Sequence, residues 1–520
     1  MFKKISFLAA MLISASATAA TLSIFSNIKN QTVDYSALPA GYPDAVRFRT
    51  VEVAEISKLT TNDEWQIDLF PGLSYRAQIK QISTNVLGTK VIQAEIEDHP
   101  FAQVIFTQTG QRSLITIDIP DRQEKFLIIG NMDGQHHLLE MSDAAKSEIE
   151  NLPSIVAPAN PALYEGDNTS PAPSPSKEKA STIDIMIIYT PAAKDWADAS
   201  GGGIANVISQ AVTRGQQSLA NSNTEMTVNL VYSAQVNYIE SGSSSTDLNR
   251  LTFHAGYDPW GYEGSTRYID EIHTWRDQYN ADIVTMFTKV EDTGGLGWLL
   301  NNVNGWKELA FSINRVQQAG WTYTTIHEMG HNMGCHHRID QATQPGPGLF
   351  TYSAGWRWLG SDNKRYCSVM SYQETWEGAA VERIAYFSNP SINHLGAATG
   401  DAINGDNARN LREIRNVIAA YESNGSDIEQ KPIKQSILLQ AYPNPFNPVT
   451  EICFSLSKAE NLQIAVYNLK GEKVAILADR YFTEGNQHIT FTGNHLPAGY
   501  YFCEINGEKL KQAVKLMLLK

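Results

Sequence analysis

Two regions of the chain alternate apolar and polar residues with a period of two. The first, residues 20–151, contains Val91-Ile92-Gln93-Ala94-Glu95-Ile96 and Ser113-Leu114-Ile115-Thr116-Ile117-Asp118-Ile119. The second, residues 436–520, contains Ile452-Phe454-Leu456, Leu462-Ile464-Val466, Ile489-Phe491 and Tyr500 to Ile505, with turns at Lys470-Gly471 and Pro497-Ala498-Gly499. Successive side chains of a strand point to opposite faces, so this spacing predicts two β-rich modules, the second a small β-sandwich. Between them, over residues 181–422, apolar runs of strand length (Ile183 to Tyr189, Met226 to Tyr232, Ile283 to Phe287) alternate with helical spacing at Ile204, Val207, Ile208, Ala211, Val212 and Leu219. Ile269, Ile272, Trp275 and Tyr279, then Leu411, Ile414, Val417, Ile418 and Tyr421, repeat that helical period. The middle block is therefore expected to be α/β, a sheet backed by helices, in a multidomain chain.

The joints between modules are legible from composition. Residues 152–180 hold Pro153, Pro158, Pro161, Pro171, Pro173 and Pro175 among small polar residues, which reads as an extended, protease-accessible linker. A second polar linker covers 423–435. A β-rich module and an exposed linker ahead of a catalytic block predict a propeptide, with a permanent accessory domain as the alternative. At the N-terminus, Lys3 and Lys4, the apolar stretch Ile5 to Ala15 and the small residues Ala17-Thr18-Ala19 make a signal peptide over residues 1–19. No other segment is long and apolar enough to span a membrane. The formal net charge of −14 and the lack of a basic cluster beyond the N-terminus argue against nucleic acid as a partner. His136-His137, an isolated pair, reads as loop or strand surface.

The candidate chemistry lies in His327-Glu328-Met329-Gly330-His331-Asn332-Met333-Gly334-Cys335-His336-His337, which fits H-E-x-x-H-x-x-G-x-x-H in full. Two histidines four apart project from one face of a helix and can share a zinc ion. Gly334 lets the chain leave the helix, because glycine takes the left-handed conformation without a Cβ clash. The turn brings His337 round as third ligand. His336 is the neighbouring alternative, and the motif register favours His337. Three protein ligands leave a fourth position for water, the catalytic arrangement of zinc. Glu328, beside the first ligand, is placed to act as general base.

Downstream, Cys367-Ser368-Val369-Met370-Ser371-Tyr372 resembles the turn that carries a methionine beneath the zinc in metzincin peptidases. The resemblance covers residues 181–422 and is closest to the reprolysin-like (adamalysin-like) bacterial enzymes, to which Ile183 to Pro191 and Phe387-Ser388-Asn389-Pro390 are also similar. It implies a secreted zinc endopeptidase, Met370 as an apolar floor, and Tyr372 as a group that binds the metal at rest or donates to the oxyanion. It also implies that the Gly294 to Leu300 segment flanks the substrate cleft, an ordinary glycine turn being the other reading. Arg338 departs from the pattern, in which an Asp often follows the third histidine. The competing functions are a surface-attached binding protein with a degenerate peptidase fold and a zinc amidase acting on non-protein material.

Four cysteines occur in two pairs, Cys335 with Cys367 and Cys453 with Cys503. In an exported chain a Cys335–Cys367 disulfide is expected to tie the halves of the site together, a free thiol or an extra ligand being the other reading. The N-terminal module has no cysteine, so it cannot mask zinc with a thiolate. Calcium is not indicated. Tyr442-Pro443-Asn444-Pro445-Phe446-Asn447-Pro448 and the final Lys515 to Lys520 resemble the C-terminal sorting domain of the type IX secretion system. That resemblance implies the secretion machinery as a partner, and an extracellular or outer-surface location.

Overall fold

A computed structural model describes residues 21–28, 45–54, 59–61, 63–130, 135–141, 180–254, 268–422, 439–442, 446–456, 459–483, 485–507 and 511–519. The expected signal peptide and almost all of both linkers lie outside the described residues. No helix among the described residues is long and apolar enough to cross a membrane.

The N-terminal module is one sheet, ten-stranded among the described residues, in the order β1-β4-β5-β6-β7-β8-β9-β10-β3-β2. Its strands are β1 (Thr21–Ser23), β2 (Phe25–Ile28), β3 (Ala45–Val53), β4 (Glu64–Phe70), β5 (Leu73–Thr84), β6 (Lys90–Ile96), β7 (Gln103–Thr109), β8 (Arg112–Ile119), β9 (Glu124–Gly130) and β10 (His136–Met141). From β4 to β10 each strand pairs antiparallel with the next, as short turns allow. The period-2 pattern puts one set of side chains on the module's own core, including Ile92, Ile115, Ile117 and Phe126. The opposite set (Leu114, Leu127, Ile129, Leu139) packs into the core of the middle block. His136 is buried in β10 with Nε2 2.8 Å from Ser113 Oγ, so it is interior and not surface.

The middle block has the expected sheet. β11 (Ser181–Tyr189), β12 (Met226–Gln235), β13 (Ile283–Thr288), β14 (Gly295–Gly297) and β15 (Phe311–Arg315) run in the order β12-β11-β13-β15-β14. All neighbours are parallel except β14, the antiparallel edge strand. Helices α1 (Pro191–Ser200), α2 (Ile204–Asn221), α3 (Ser244–Thr252) and α4 (Glu271–Tyr279) occupy its first half. Then come α5 (Val316–Ala319), α6 (Thr324–Asn332) and α7 (Asn407–Ile418). α1 begins where Thr190 Oγ1 accepts from the Ala193 amide and Pro191 fits the first turn. Smaller strands fill the lower part: β16 (Arg357–Leu359), β17 (Arg365–Cys367), β18 (Val381–Arg383), β19 (Asn393–His394) and β20 (Ala397–Ala398).

In the C-terminal segment β21 (Leu439–Tyr442), β22 (Val449–Leu456) and β25 (Gly485–Thr492) form one sheet. β23 (Glu460–Asn468), β24 (Lys473–Phe482), β26 (Gly499–Gly507) and β27 (Lys511–Leu518) form another. Ile452, Phe454, Ile464, Phe491, Ile505 and Leu516 share one core. β24 has no clear counterpart in the sequence pattern, because most of its side chains are exposed or half-buried and alternate weakly.

Candidate metal centre

α6 carries the first half of the motif. His327 and His331 lie one turn apart, and the helix ends where Gly334 takes a φ of 82° and the Cys335 amide donates to Gly330 O. The chain then turns back, and His337 Nε2 arrives 3.0 Å from His327 Nε2 and 3.1 Å from His331 Nε2. These histidines form the one metal-capable group of His, Cys, Asp and Glu among the described residues, and all are buried.

The ring orientations are fixed from behind. His327 Nδ1 lies 2.9 Å from Val369 O, His331 Nδ1 3.0 Å from Cys335 O, and His337 Nδ1 2.9 Å from Gln344 O. A carbonyl only accepts, so each Nδ1 carries the proton and each Nε2 presents a lone pair. Three lone pairs aimed at one point repel each other unless a cation sits among them. The donor set is imidazole nitrogen, which suits zinc. Burial pushes the His327 imidazole down to about 3, Arg383 adding to the effect. Burial and the neighbouring rings hold His331 and His337 well below the usual range, so all stay neutral, as ligands must be. His336 stands outside the group. Its Nδ1 accepts the His337 amide at 2.7 Å, and burial lowers it to about 4.

Glu328 is 1% exposed and its Oε2 has no hydrogen-bond partner among the described residues. Burial raises its carboxyl well above the usual carboxylate range, against the pull of Arg383. Such an orphaned, desolvated oxygen is what a base needs if it is to meet a water. The edge strand β14 presses on it: a Cβ at Gly295 would lie 2.6 Å from Glu328 Cγ, and one at Gly297 would lie 2.7 Å from Glu328 O. Gly294 to Leu300 is thus no ordinary turn but a wall of the site. The Asn332 amide nitrogen holds that wall in place, donating to Trp298 O and Phe311 O at 2.9 Å each. We expect Gly295→Ala to keep its metal and lose roughly 10- to 100-fold in kcat, the scale of the loss when a group at a reacting centre is displaced by about 1 Å. Unchanged kcat with unchanged metal content would show that Glu328 is not held by this contact.

Beneath the helix, Met370 is fully buried, and a Cβ at Gly330 would sit 2.6 Å from its sulfur. Helix and turn meet here at glycine distance. Tyr372 is 4% exposed, its ring 4.5 Å from that of His337 and 6.0 Å from that of His327. Arg338 is bound by Asp340 and, at 2.8 Å, by Glu374. Arg383 Nε and Nη2 both donate to Ser371 O, at 3.0 and 2.8 Å. No sequence signal marks Arg383, which reaches the site because β18 runs parallel to β17 with Arg383 opposite Cys367.

The expected Cys335–Cys367 disulfide is absent; both residues are thiols. Cys335 leaves α6 toward α7, with its sulfur 3.5 Å from the Asn410 amide nitrogen and 3.8 Å from Asn407 O. Cys367, at the end of β17, faces the Met370 turn with its sulfur 3.8 Å from Ser371 O. Cys503 is also a buried thiol, pushed up to about 12 by burial.

Residues 179–388 match the model of the metallo-peptidase family M12, and residues 440–519 match a secretion system C-terminal sorting domain. Three similar proteins bear the name peptidyl-Asp metalloendopeptidase. The one from Stenotrophomonas maltophilia is 27% identical over 62% of this chain and 72% of its own length. That from Xanthomonas campestris is 28% identical over 56% and 63%, and that from Pseudomonas aeruginosa 23% over 46% and 40%. The sorting domain indicates secretion or surface attachment. With a buried histidine triad on the expected helix inside the matched region, residues 179–388 are a metzincin-like metallopeptidase domain, and residues 440–519 a secretion sorting tail.

Proposed function

We propose that the ion is a single zinc, held by Nε2 of His327, His331 and His337, and that Glu328 is the general base of peptide-bond hydrolysis. The observation that carries this reading is the convergence of the imidazole lone pairs beside the orphaned Glu328 Oε2. Zinc, when bound, supplies a Lewis acid that polarises a carbonyl and brings the pKa of a water to about 7. Glu328 takes the proton of the attacking water and returns it to the leaving amine. The Tyr372 hydroxyl donates to the developing oxyanion. The edge strand β14, antiparallel to β15 at the end of the sheet, offers its backbone to an extended substrate strand.

The N-terminal module serves as a propeptide, released by cleavage in the 152–180 linker. The signal peptide at residues 1–19 and the C-terminal β-sandwich at 436–520 direct the chain outward, to the medium or the outer surface. The substrate is protein or peptide, and the name shared by the relatives supports a preference for aspartate beside the cleaved bond.

The test is cleavage of casein and of a peptide library by the full secreted chain, because the N-terminal module and the peptidase share one core and an excised 181–422 fragment would expose it. Chelation is expected to abolish cleavage, and zinc to restore it. Cleavage that persists with the metal shown to be gone would sink the reading.

A further inference from the structure

We infer that Gln341 is a positioning residue for Tyr372: its side-chain oxygen holds the Tyr372 amide and so ties the tyrosine to the loop behind the third histidine. The inference rests on the reading of Tyr372 as oxyanion donor given above, and it names the group that aims that donor.

The peptide group between Ser371 and Tyr372 is gripped at both ends. Its N–H donates to Gln341 Oε1 at 3.0 Å, and its carbonyl oxygen accepts from Arg383 Nε and Nη2 at 3.0 and 2.8 Å. A peptide group is planar, and its N–H and C=O point in opposite directions. Holding both fixes the plane, and with it the direction in which the Tyr372 side chain leaves the backbone. Gln341 and Tyr372 are each 4% exposed, and a hydrogen bond between such buried groups is costly to lose. The Gln341 amide is itself oriented: Nε2 donates to Thr343 O at 2.9 Å, which turns Oε1 toward Tyr372.

Gln341 stands in a loop fastened to His337. The Gln341 and Gly346 amides both donate to Arg338 O, at 3.2 and 3.3 Å, and Gln344 O lies 2.9 Å from His337 Nδ1. A Cβ at Gly346 would lie 2.3 Å from His337 O, so the loop closes on the histidine at glycine distance. A second tie leaves the same loop. Arg338, which breaks the pattern of an Asp after the third histidine, is 3% exposed, and its Nη2 lies 2.8 Å from Glu374 Oε2, two residues past Tyr372. One loop thus orients the His337 ring and holds the chain at residues 372 and 374. The Tyr372 ring lies 4.5 Å from that of His337. Histidine and tyrosine are therefore set relative to each other by one piece, and a misplacement of about 1 Å at a reacting centre costs on the order of 100-fold.

The experiment uses the full secreted chain, one peptide substrate, and an uncleavable phosphonate analogue of that peptide whose binding is read by calorimetry. Tyr372→Phe is expected to lower kcat and weaken analogue binding by about 100-fold, the loss of one oxyanion donor, with KM and metal content held. Gln341→Met, similar in length but without the acceptor, should lower both by roughly 10- to 100-fold, again with KM and metal content held. Added to Tyr372→Phe, the same change should cost less than about 2-fold, because no hydroxyl is left to misplace. Wild-type kcat in Gln341→Met, or the same fold loss with and without the Tyr372 hydroxyl, overturns the assignment and leaves Gln341 a packing residue. If Gln341→Met does not fold, Gln341→Glu decides, since it keeps an acceptor for the Tyr372 amide. A kcat within a few-fold of wild type, or a loss that vanishes beside Tyr372→Phe, supports the assignment; equal loss in both backgrounds overturns it. Tyr372→Phe with wild-type kcat would instead refute the oxyanion reading and the inference with it, and no chelator-sensitive cleavage at all would refute the peptidase reading.

Discussion

Glu328→Gln is expected to bind zinc as wild type does and to lose on the order of 100- to 10,000-fold in kcat, the range that a positioned base contributes. Gln is nearly isosteric with Glu, so the tight approach of Gly295 and Gly297 is preserved and the histidines are not disturbed. What disappears is the proton acceptor at Oε2, the atom with no other partner among the described residues. KM should move little, because on the proposed reading the substrate pairs with the edge strand and is not bound by this side chain. Metal content by atomic absorption, beside kcat and KM on one peptide, separates the two roles. Near-wild-type turnover would remove Glu328 from the chemistry; loss of metal together with activity would make its role structural.

The reason this much could be anticipated is that the motif is local. His327, Glu328 and His331 share one helical turn, and Gly334 fixes the exit, so spacing alone gives the geometry. β11, β12 and β13 and the helices α2, α4 and α7 followed from periodicity for the same reason, whereas α1, α3 and β15 had no such signal. Arg383 was hidden because its partner, Ser371 O, is supplied by a strand pairing between β17 and β18, and pairings are not written in spacing. The disulfide expectation failed on direction: both cysteines sit at the site, but one sulfur faces α7 and the other the Met370 turn. The docking of the N-terminal module was hidden too. Asp118 belongs to an alternating strand and Arg214 to an amphipathic helix, and nothing in either pattern announces that they meet.

Their meeting gives the second large effect. Asp118 is ion-paired with Arg214, Oδ2 lying 2.7 Å from Nη1, and its Oδ1 lies 3.5 Å from Lys125 Nζ, with side-chain exposures of 7%, 1% and 5%. Around this pair the module is stitched to α2: the Gln210 amide nitrogen donates to Ile105 O and Leu114 O, and the Asn206 amide nitrogen donates to Arg112 O. Lys125 donates to Trp321 O at 3.3 Å, and the Gln103 amide nitrogen to Tyr323 OH at 3.3 Å, just ahead of the His327 helix. α2 thus stands between the module and the helix that carries the histidines, and among the described residues no Asp, Glu or His of the module joins the metal-capable group. Removing one member of a buried ion pair strands the other, at a cost of about 3–5 kcal/mol. We therefore expect Asp118→Ala and Arg214→Ala each to lower the stability of the uncleaved chain by that amount in urea unfolding. The pair Asp118→Leu with Arg214→Met should lose distinctly less than the sum of the single losses, since no charge is then buried alone. Burial alone would raise the Asp118 carboxyl, but Arg214 and Lys125 outweigh it and hold it below its ordinary 3.8. Its stabilising contribution is accordingly present above about pH 4 and lost as the pH falls through the lowered value. Single variants within about 1 kcal/mol of wild type would mean that the clamp adds little beyond the apolar contact around it, as exposed pairs do. A full loss would mean that a cut in the linker alone does not free the module, which then leaves only when this buried charge is given another partner.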